Sequence, residues 1–372
     1  MQTGFHAGPA GGIKIFFMAP LHNRVSRREL KRLAQQDPTP RKTISFYRYT
    51  EIEQPDTTRD YWYTELRKLQ VFGRIYIARE GVNAQVSLPE QNLQNLRDFL
   101  DSQAGFQQLR LNLAVDEKGA SFFVLDIKVK EKIVADGIED PQFNMANRGK
   151  YVNAEQFNAL TSRPGTVVVD MRNYYEYEVG HFRDAIEVPS DTFREQLPMA
   201  AEMLSADQDR NVIMYCTGGI RCEKASAYML HRGFKNVFHL EGGIINYVRQ
   251  VREQGLENKF LGKNFVFDER LGERISQDVL SHCHQCGKPA DTHVNCASEA
   301  CHLLFIQCEE CRERMENCCS DACLEYIHLP AEQQKLKRKG IQKERNIFNK
   351  SRSRIKTLKN LAEPADTDRA GN

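Results

Sequence analysis

The chain of 372 residues is long enough for two or three domains, each with a core of its own. No run of about eighteen apolar residues occurs, which argues against a transmembrane helix and a membrane partner. The apolar run from Ile15 to Ala19 is too short for a signal peptide, so we expect a cytoplasmic protein. Residues 1–17 have a weakly structured composition, which leaves both Met1 and Met18 open as the true start.

The net charge of +2 conceals a strongly basic tail. Residues 335–359 contain eleven Lys or Arg and one acid, Glu344, so this segment carries about +10 and the rest of the chain about −8. Such a tail is typical either of a segment that binds a polyanion, most often nucleic acid, or of a disordered solubilising tail. We expect residues 331–372 to form a flexible tail rather than a packed domain.

The first predicted domain spans residues 40–135, after an N-terminal extension (1–39) that includes a helix. Its pattern is strand TISFYRYT, helix 57–69, strands VFGRIYIA and GVNAQVSLP, helix 90–102 and a last strand, SFFVLDIKVK. The order β-α-β-β-α-β predicts a ferredoxin-like, or acylphosphatase-like, α+β domain. Within it, Trp62 is predicted to be a core residue, and EGVNAQ (80–85) is either an RNA contact or a simple hairpin.

The second predicted domain spans residues 145–255, where strands alternate with helices. Short apolar strands TVVVDM, AIEVP, NVIMYC and NVFHL are separated by helices over 192–204 and 220–231, and another helix follows over 244–253. This alternation predicts a parallel sheet with helices on both faces. The chain as a whole is therefore predicted to be a multidomain α/β protein.

The strand NVIMYC ends in a thiol, and a glycine-rich loop and a helix follow it. After Cys216 come, in order, Thr217, Gly218, Gly219, Ile220, Arg221 and Cys222. Glycines allow successive N–H groups to turn inward as an anion-binding nest, to which the following helix adds its positive end. Such a loop lowers the pKa of a thiol, and the thiolate is the nucleophile.

These features predict that Cys216 is a nucleophile or persulfide carrier and that Arg221 stabilises the anion. Cys222 is either a second, resolving thiol or a core residue. Arg221 lies five positions after Cys216, whereas cysteine-dependent phosphatases place this arginine six positions on. The shorter loop suits a single sulfur atom, as in a rhodanese-type persulfide site.

A further set of residues matches the scaffold pattern of rhodanese domains: Asp170, Arg172, Glu176, Glu178, Gly180 and His181. We interpret Asp170 and Arg172 as the end of a strand and Gly180-His181 as a turn. LEGG, Leu240 to Gly243, matches another rhodanese turn.

The third predicted unit, residues 256–330, is rich in cysteine and is followed by the basic tail. Cys283 and Cys286 form one C-x-x-C knuckle and Cys308 and Cys311 a second, a spacing that indicates a zinc site. Five further cysteines can supply a second site with one thiol left over, their pairing open: Cys296, Cys301, Cys318, Cys319 and Cys323. His282, His284, His293 and His302 are alternative ligands. Disulfides or unmetallated thiols are the other interpretation, and a zinc ion here would have a structural rather than a redox role.

Taken in order along the chain, these motifs resemble the bacterial tRNA uridine(34) hydroxylase family, which has a central rhodanese domain. The resemblance covers about residues 20–358 and rests on strings such as FYRY, AREGVNAQVSLP, KEKIVADGI, MYCTGGIRCEKASA, LEGGIINY, GKNFVFDERLGERIS and CHQCGKPADTH. It implies oxygen-dependent hydroxylation of the wobble uridine to 5-hydroxyuridine, an early step towards 5-alkoxyuridines. It also implies that Cys216 corresponds to the family's active-site cysteine.

The resemblance gives the basic tail a partner, the phosphates of tRNA near the anticodon. The cations expected to bind them are Lys335, Lys337, Arg338, Lys339, Lys350, Arg352 and Arg354. Neither a facial triad of metal ligands nor a dinucleotide fingerprint is legible, so the electron donor stays open. Two mechanisms are compatible with the loop: Cys216 adds to C6 of uracil, or a Cys216 persulfide takes part. A rhodanese-type sulfurtransferase and a non-catalytic RNA-binding adaptor are the alternative functions.

Overall fold

The structure is a computed structural model that describes residues 27–116 and 120–339. The predictions for residues 1–26 and for the tail beyond residue 339 lie outside the described residues. Within the described ranges, no helix is both long enough and apolar enough to cross a membrane.

The N-terminal domain is built on a five-stranded sheet. Its elements are α1 (Arg27–Gln36), β1 (Arg41–Tyr49), α2 (Pro55–Lys68), β2 (Phe72–Ala78), β3 (Gly81–Pro89), α3 (Leu93–Ser102), β4 (Asn112–Leu113) and β5 (Leu125–Val129). Strand β1 alternates in the way a half-buried strand must, because Ile44 and Phe46 enter the core while Ser45 and Tyr47 lie on the other face. Helices α2 and α3 cover the core face, and Trp62 is buried there as predicted.

The sheet order β4-β1-β3-β2-β5 confirms the ferredoxin-like core but corrects one strand. The prediction made SFFVLDIKVK the fourth strand of the motif. That position beside β1 is instead occupied by the two-residue strand β4, and the predicted segment forms β5 at the opposite edge, parallel to β2. The longer apolar run therefore extends the ferredoxin-like motif by a fifth strand.

The central domain contains a second five-stranded sheet, with order β6-β11-β10-β7-β9 and every pairing parallel. Its strands are β6 (Lys150–Val152), β7 (Thr166–Asp170), β9 (Ile186–Glu187), β10 (Asn211–Tyr215) and β11 (Asn236–Leu240), and β8 (Gly180–Phe182) lies outside it. Its helices are α4 (Ala154–Thr161), α5 (Tyr174–Val179), α6 (Phe193–Met203), α7 (Ile220–His231) and α8 (Gly243–Gln254). Two hydrophobic clusters, one on each face of the sheet, confirm the doubly covered parallel architecture.

The C-terminal region packs on α5 and is joined to the central domain by strand pairing. Its elements are β12 (Phe260–Asn264), β13 (Glu273–Arg274), β14 (His293–Asn295), β15 (Leu304–Ile306), α9 (Glu309–Arg314), α10 (Asp321–Ile327) and α11 (Ala331–Lys339). Strand β12 pairs antiparallel with β8, so Gly180-His181, predicted as a turn, begins a strand. The predicted flexible tail begins with a helix, because residues 331–339, its first nine residues, form α11.

Candidate active site and metal centres

Cys216 lies at the carboxyl end of β10, where open parallel sheets gather their functional groups. Its side chain is buried, with 1% of its surface exposed. Gly219 has a φ of 101° and caps the N-terminus of α7. This left-handed conformation, which favours glycine, turns the Gly219 N–H towards the Cys216 Sγ at 3.2 Å. The loop therefore brings an N–H donor to the sulfur, as a cradle for a sulfur anion requires.

Two neighbouring thiols in this cradle have opposite pKa shifts. Burial raises the pKa of Cys216, but hydrogen bonds from Cys222 and from backbone N–H groups, together with the charge of Arg221, lower it to about 6. Burial and the hydrogen bond to Cys216 raise the pKa of Cys222 well above its usual value. These shifts favour the thiolate form of Cys216 near neutral pH and the thiol form of Cys222.

The carbonyl side of the loop is held by the start of α8. The backbone N–H groups of Ile244 and Ile245 donate to the carbonyl oxygens of Cys216 and Thr217, at 3.0 and 3.2 Å. A Cβ on Gly243 would lie 2.4 Å from the Cys216 carbonyl oxygen, so only glycine allows this close approach. The LEGG segment thus leaves the N–H groups of the loop free to face the sulfur.

Arg221 does not point freely into the loop. Its guanidinium binds Glu176 of α5 through two hydrogen bonds of 2.7 and 2.8 Å, and Glu176 is fully buried. The ring of Phe267 lies 5.8 Å from the guanidinium carbon. A fixed Arg221 stabilises the thiolate through its charge, as the pKa of Cys216 indicates, while Glu176 holds it in place.

The predicted scaffold residues Asp170 and Arg172 form a buried ion pair with a shortest contact of 2.6 Å. Arg172 also donates to the carbonyl of Gly180, at 2.5 Å. These contacts join the end of β7 to the start of β8. They support the interpretation of this motif as structure rather than chemistry.

The N-terminal sheet covers the Cys216 loop, a contact that the sequence did not reveal. The hydroxyl of Tyr47 donates to Glu223 of α7 at 2.8 Å and lies 3.0 Å from the position a Cβ on Gly219 would occupy. Asn112 donates to the carbonyl of Gly218 at 3.3 Å, and the hydroxyl of Tyr49 donates to the carbonyl of Ile220 at 3.2 Å. The site thus lies at the interface of two domains.

Beside this contact, Lys224 of α7 is a buried cation held between two carboxylates. Its ammonium group binds Asp136 at 2.8 Å and also binds Glu80, and its side chain is 3% exposed. Both carboxylates belong to the N-terminal half of the chain, within the strings AREGVNAQVSLP and KEKIVADGI. Asp136 also accepts from Lys132 at 2.6 Å, so the buried charges are compensated on both sides and the network fixes how the N-terminal half sits on α7.

Two groups of four cysteines bring their sulfur atoms within 4.8 Å of one another. The first consists of Cys283, Cys286, Cys308 and Cys311, the predicted pair of knuckles. The second consists of Cys296, Cys301, Cys319 and Cys323, which leaves Cys318 as the spare thiol. The four candidate histidines belong to neither group.

The geometry of both groups fits zinc better than disulfides. The Cys286–Cys308 and Cys301–Cys319 sulfur separations are each 3.6 Å, and Cys319–Cys323 is 3.7 Å. A tetrahedral ion with zinc–sulfur bonds of about 2.3 Å sets its sulfurs about 3.8 Å apart, whereas a disulfide bond is about 2.05 Å long. All eleven cysteines are free thiols, so disulfides do not staple this region.

The predicted RNA-binding cations fall into three groups. Lys335 and Lys337 are exposed on α11. Arg338 forms an ion pair with Glu299, and Lys339 is the last residue of α11. Lys350, Arg352 and Arg354 lie outside the described residues.

Known families match successive parts of the chain. Residues 41–133 match the UPF0176 acylphosphatase-like domain, residues 153–250 the rhodanese-like domain and residues 261–324 the rhodanese C-terminal region. A tRNA uridine(34) hydroxylase of Pectobacterium carotovorum is 56% identical over 95% of this chain and all of its own length. Another, of Photorhabdus laumondii, is 58% identical over 91% of this chain and 96% of its own.

The chain belongs to the tRNA uridine(34) hydroxylase family. Among solved structures, a rhodanese-like domain from Anabaena covers 30% of this chain and 78% of its own, with 18% identity and a TM-score of 0.25. Family membership confirms the resemblance drawn from the motifs. In the described residues of this tRNA uridine(34) hydroxylase family member, three features bear on its chemistry: the Cys216 loop, the N-terminal sheet that covers the loop, and the two cysteine tetrads.

Proposed function

We propose that this protein uses molecular oxygen to hydroxylate uridine 34, the wobble nucleotide of the tRNA anticodon, to 5-hydroxyuridine in the cytoplasm. The observation that carries the proposal is the similarity along nearly the whole chain to proteins named tRNA uridine(34) hydroxylase. The Cys216 loop supports it, because a buried thiolate beside a second thiol is suited to covalent chemistry on an electron-poor ring.

In the first step, the Cys216 thiolate adds to C6 of the uracil ring. The new carbon–sulfur bond places negative charge on C5 and O4, so that C5 becomes enolate-like and reactive towards oxygen. With a pKa of about 6, Cys216 is deprotonated at neutral pH without a separate base.

In the second step, C5 bonds to molecular oxygen and the terminal oxygen takes up a proton, which gives a 5-hydroperoxide. The thiol of Cys222 attacks the distal oxygen, the O–O bond breaks, and the products are a C5 hydroxyl and a Cys222 sulfenic acid. Loss of the C5 proton and departure of Cys216 restore the double bond of the ring.

In the third step, the oxidised Cys222 returns to a thiol. Cys216 attacks the Cys222 sulfenic acid, releases water and forms a Cys216–Cys222 disulfide, which a cellular dithiol then reduces. Uridine, oxygen and two thiols thus become 5-hydroxyuridine, water and one disulfide. The opposite pKa shifts of Cys216 and Cys222 support this pairing, because the interaction between the two thiols lowers the pKa of Cys216 and raises that of Cys222.

The test is hydroxylation of unmodified tRNA by the purified protein under ¹⁸O-labelled oxygen with dithiothreitol as the dithiol. We expect 5-hydroxyuridine at position 34 that carries the label in the wild type, and none in Cys216→Ser. Label from water instead of oxygen, or undiminished product from Cys216→Ser, would contradict the proposal. Cys222→Ser should make no 5-hydroxyuridine, because the thiol that cleaves the O–O bond of the hydroperoxide is missing.

A rhodanese-type sulfurtransferase is the second candidate. The match of residues 153–250 to rhodanese-like domains and the short loop from Cys216 to Arg221 favour it. In that function the Cys216 thiolate attacks the outer sulfur of thiosulfate, releases sulfite and passes the sulfur of the resulting persulfide to a nucleophile. Transfer of sulfur from thiosulfate to cyanide by the wild type, together with tRNA that stays unmodified in the presence of oxygen, would favour this function over hydroxylation.

We also propose that each cysteine tetrad holds a structural zinc ion. Four thiols at tetrahedral spacing leave no open coordination position for a substrate, and zinc supplies no redox chemistry. The first tetrad joins the loop before β14 to the start of α9, and the second joins β14 to α10. The ions would therefore organise the C-terminal region rather than activate oxygen.

A further inference from the structure

The N-terminal sheet has one face covered by helices and a second face of polar and aromatic residues. Strand register sets two rows across this second face. The first row is Asn112, Ser45, Gln85, Arg74 and Asp126, and the second is Tyr47, Asn83, Tyr76 and Lys128. We call these two rows the polar face. Helix α7 contacts this face at its Tyr47 end, through the Tyr47–Glu223 hydrogen bond, whereas α2 and α3 pack on the core face.

The polar face combines groups that bind single-stranded nucleic acid. Asn83, Gln85 and Tyr76 are half-buried, so their amides and ring stand at the surface of the sheet rather than inside a core. The Lys130 ammonium group lies 5.7 Å from the centre of the Tyr76 ring, and Lys128 and Lys130 are exposed. Amides read base edges, aromatic rings stack on bases, and lysines neutralise phosphates.

One end of the polar face is the wall of the Cys216 site. Asn112 binds the Gly218 carbonyl, Ser45 approaches Gly218, and Tyr47 approaches Gly219, the residue whose N–H binds the Cys216 sulfur. The opposite end carries the exposed Lys128. A strand of RNA on this face would therefore run from open solvent directly to the reactive thiol.

Two loops contact the polar face. Asn83 donates to the carbonyl of Ile133 at 3.2 Å, and Arg74 donates to the carbonyl of Phe267. These contacts fix the amide and guanidinium positions before any ligand arrives, which reduces the entropy that binding must overcome.

We propose that the polar face binds the single-stranded anticodon loop and that Tyr76 stacks on a base next to uridine 34. The inference rests on the proposed function, since it takes tRNA as the substrate and Cys216 as the reacting group. Stems are not suited to this site, because a stacked duplex hides the base faces that Tyr76 would contact. The face thus selects a loop nucleotide and positions the neighbouring base at Cys216.

Photochemical cross-linking tests the location. An anticodon stem-loop with 4-thiouridine beside position 34 is irradiated with the full-length protein, and the attached peptides are identified by mass spectrometry. We expect attachment to β2 or β3, near Tyr76 and Asn83. Attachment confined to residues 335–359 would overturn the proposal and assign the loop to the basic tail.

Binding of the same RNA tests the role of Tyr76. Tyr76→Ala should weaken binding about tenfold, whereas Tyr76→Phe should stay within about twofold of the wild type, because stacking needs the ring and not the hydroxyl. Tyr61→Ala is the matched control, since Tyr61 is 49% exposed on α2 on the opposite side of the same domain. Lys130→Glu should weaken binding and reduce its salt dependence without disturbing the core.

Unchanged affinity in both Tyr76→Ala and Lys130→Glu would overturn the inference. Hydroxylation by the wild type is measured on the same RNA in parallel. Its absence would contradict the proposed function, whereas normal hydroxylation with normal binding by the two variants would contradict only the role of the polar face.

Discussion

The backbone N–H of Ile244 donates to the carbonyl oxygen of Cys216 at 3.0 Å, and this bond orients the whole loop. With the carbonyls of Cys216 and Thr217 bound by the start of α8, the N–H groups on the other side are available to the sulfur. Two helices therefore position Cys216: α7, which begins directly after the Cys216 loop, and α8, which begins after β11.

Gly243 is the position at which this arrangement is most easily broken. Gly243→Ala should reduce hydroxylation at least about a hundredfold, because the added Cβ would lie 2.4 Å from the Cys216 carbonyl and must displace the loop. Steady-state product formation and Cys216 alkylation measure the effect.

The control for this substitution is Gly255→Ala. Gly255 has the same φ of 64°, but a Cβ there meets nothing within 4 Å. It should cost about 1 kcal/mol of stability from left-handed strain and leave activity unchanged. Equal activity losses in the two variants would show that backbone strain, and not the loop contact, is responsible.

Glu176 is predicted to support both folding and catalysis through Arg221. Glu176→Gln removes the negative charge from a buried ion pair, so we expect a loss of about 3 kcal/mol in the free energy of unfolding and, because Arg221 is no longer held beside Cys216, slower hydroxylation. Urea denaturation measures the first effect. Asp209→Asn is the control, because the Asp209–Lys235 pair is exposed and its loss should leave stability almost unchanged.

The pKa of Cys216 predicts how activity depends on pH. The folded protein holds this pKa near 6, below the ordinary value of 9.0, so the thiolate persists above pH 6 and is protonated below it. Hydroxylation should therefore fall as the pH drops through 6. The ultraviolet absorbance of the thiolate, taken as the difference from Cys216→Ser, should titrate with the same midpoint.

Cys222→Ala provides the second arm of this titration. Removal of the thiol that donates to Cys216 should move the midpoint upward. A wild-type midpoint close to 9, or one that does not respond to Cys222→Ala, would be inconsistent with the thiolate described here.

Metal analysis tests the cysteine tetrads. We expect two zinc ions per chain in the purified protein, one in Cys311→Ser and one in Cys319→Ser, because each change removes a ligand of a different site. Cys318→Ala is the matched control and should retain both ions, since Cys318 belongs to neither tetrad. Loss of zinc from Cys318→Ala alone would refute the assignment.

Local patterns were enough to predict much of this architecture. The helix from Ile220 to His231 and the strand from Gly81 to Pro89 have the predicted bounds, because their periodicity and flanking glycines are local signals. The fourth strand of the N-terminal sheet was misassigned because β4 has two residues and its identity comes only from pairing with β1. The apolar run that forms β5 is longer, so the sequence pattern assigned it to the position of the fourth strand.

The candidate site was predictable as a loop but not as an interface. Cys216, Gly219 and Cys222 are close in sequence, whereas Glu176 lies 45 residues before Arg221, and Tyr47 lies 176 residues before its partner Glu223. Similarly, the knuckle spacing identified the first tetrad, but the choice of Cys319 over its neighbour Cys318 depends on the start of α10. Such pairings follow from tertiary structure and leave no periodic trace in the sequence.

Nucleoside mass spectrometry of bulk tRNA from a deletion strain shows whether Cys216 carries out hydroxylation of tRNA in the cell. The strain is complemented with the wild-type chain or with Cys216→Ala, and protein levels are matched by immunoblot. We expect nucleosides derived from 5-hydroxyuridine to disappear on deletion and to return only with the wild-type chain. Their full return with Cys216→Ala would contradict this role of Cys216.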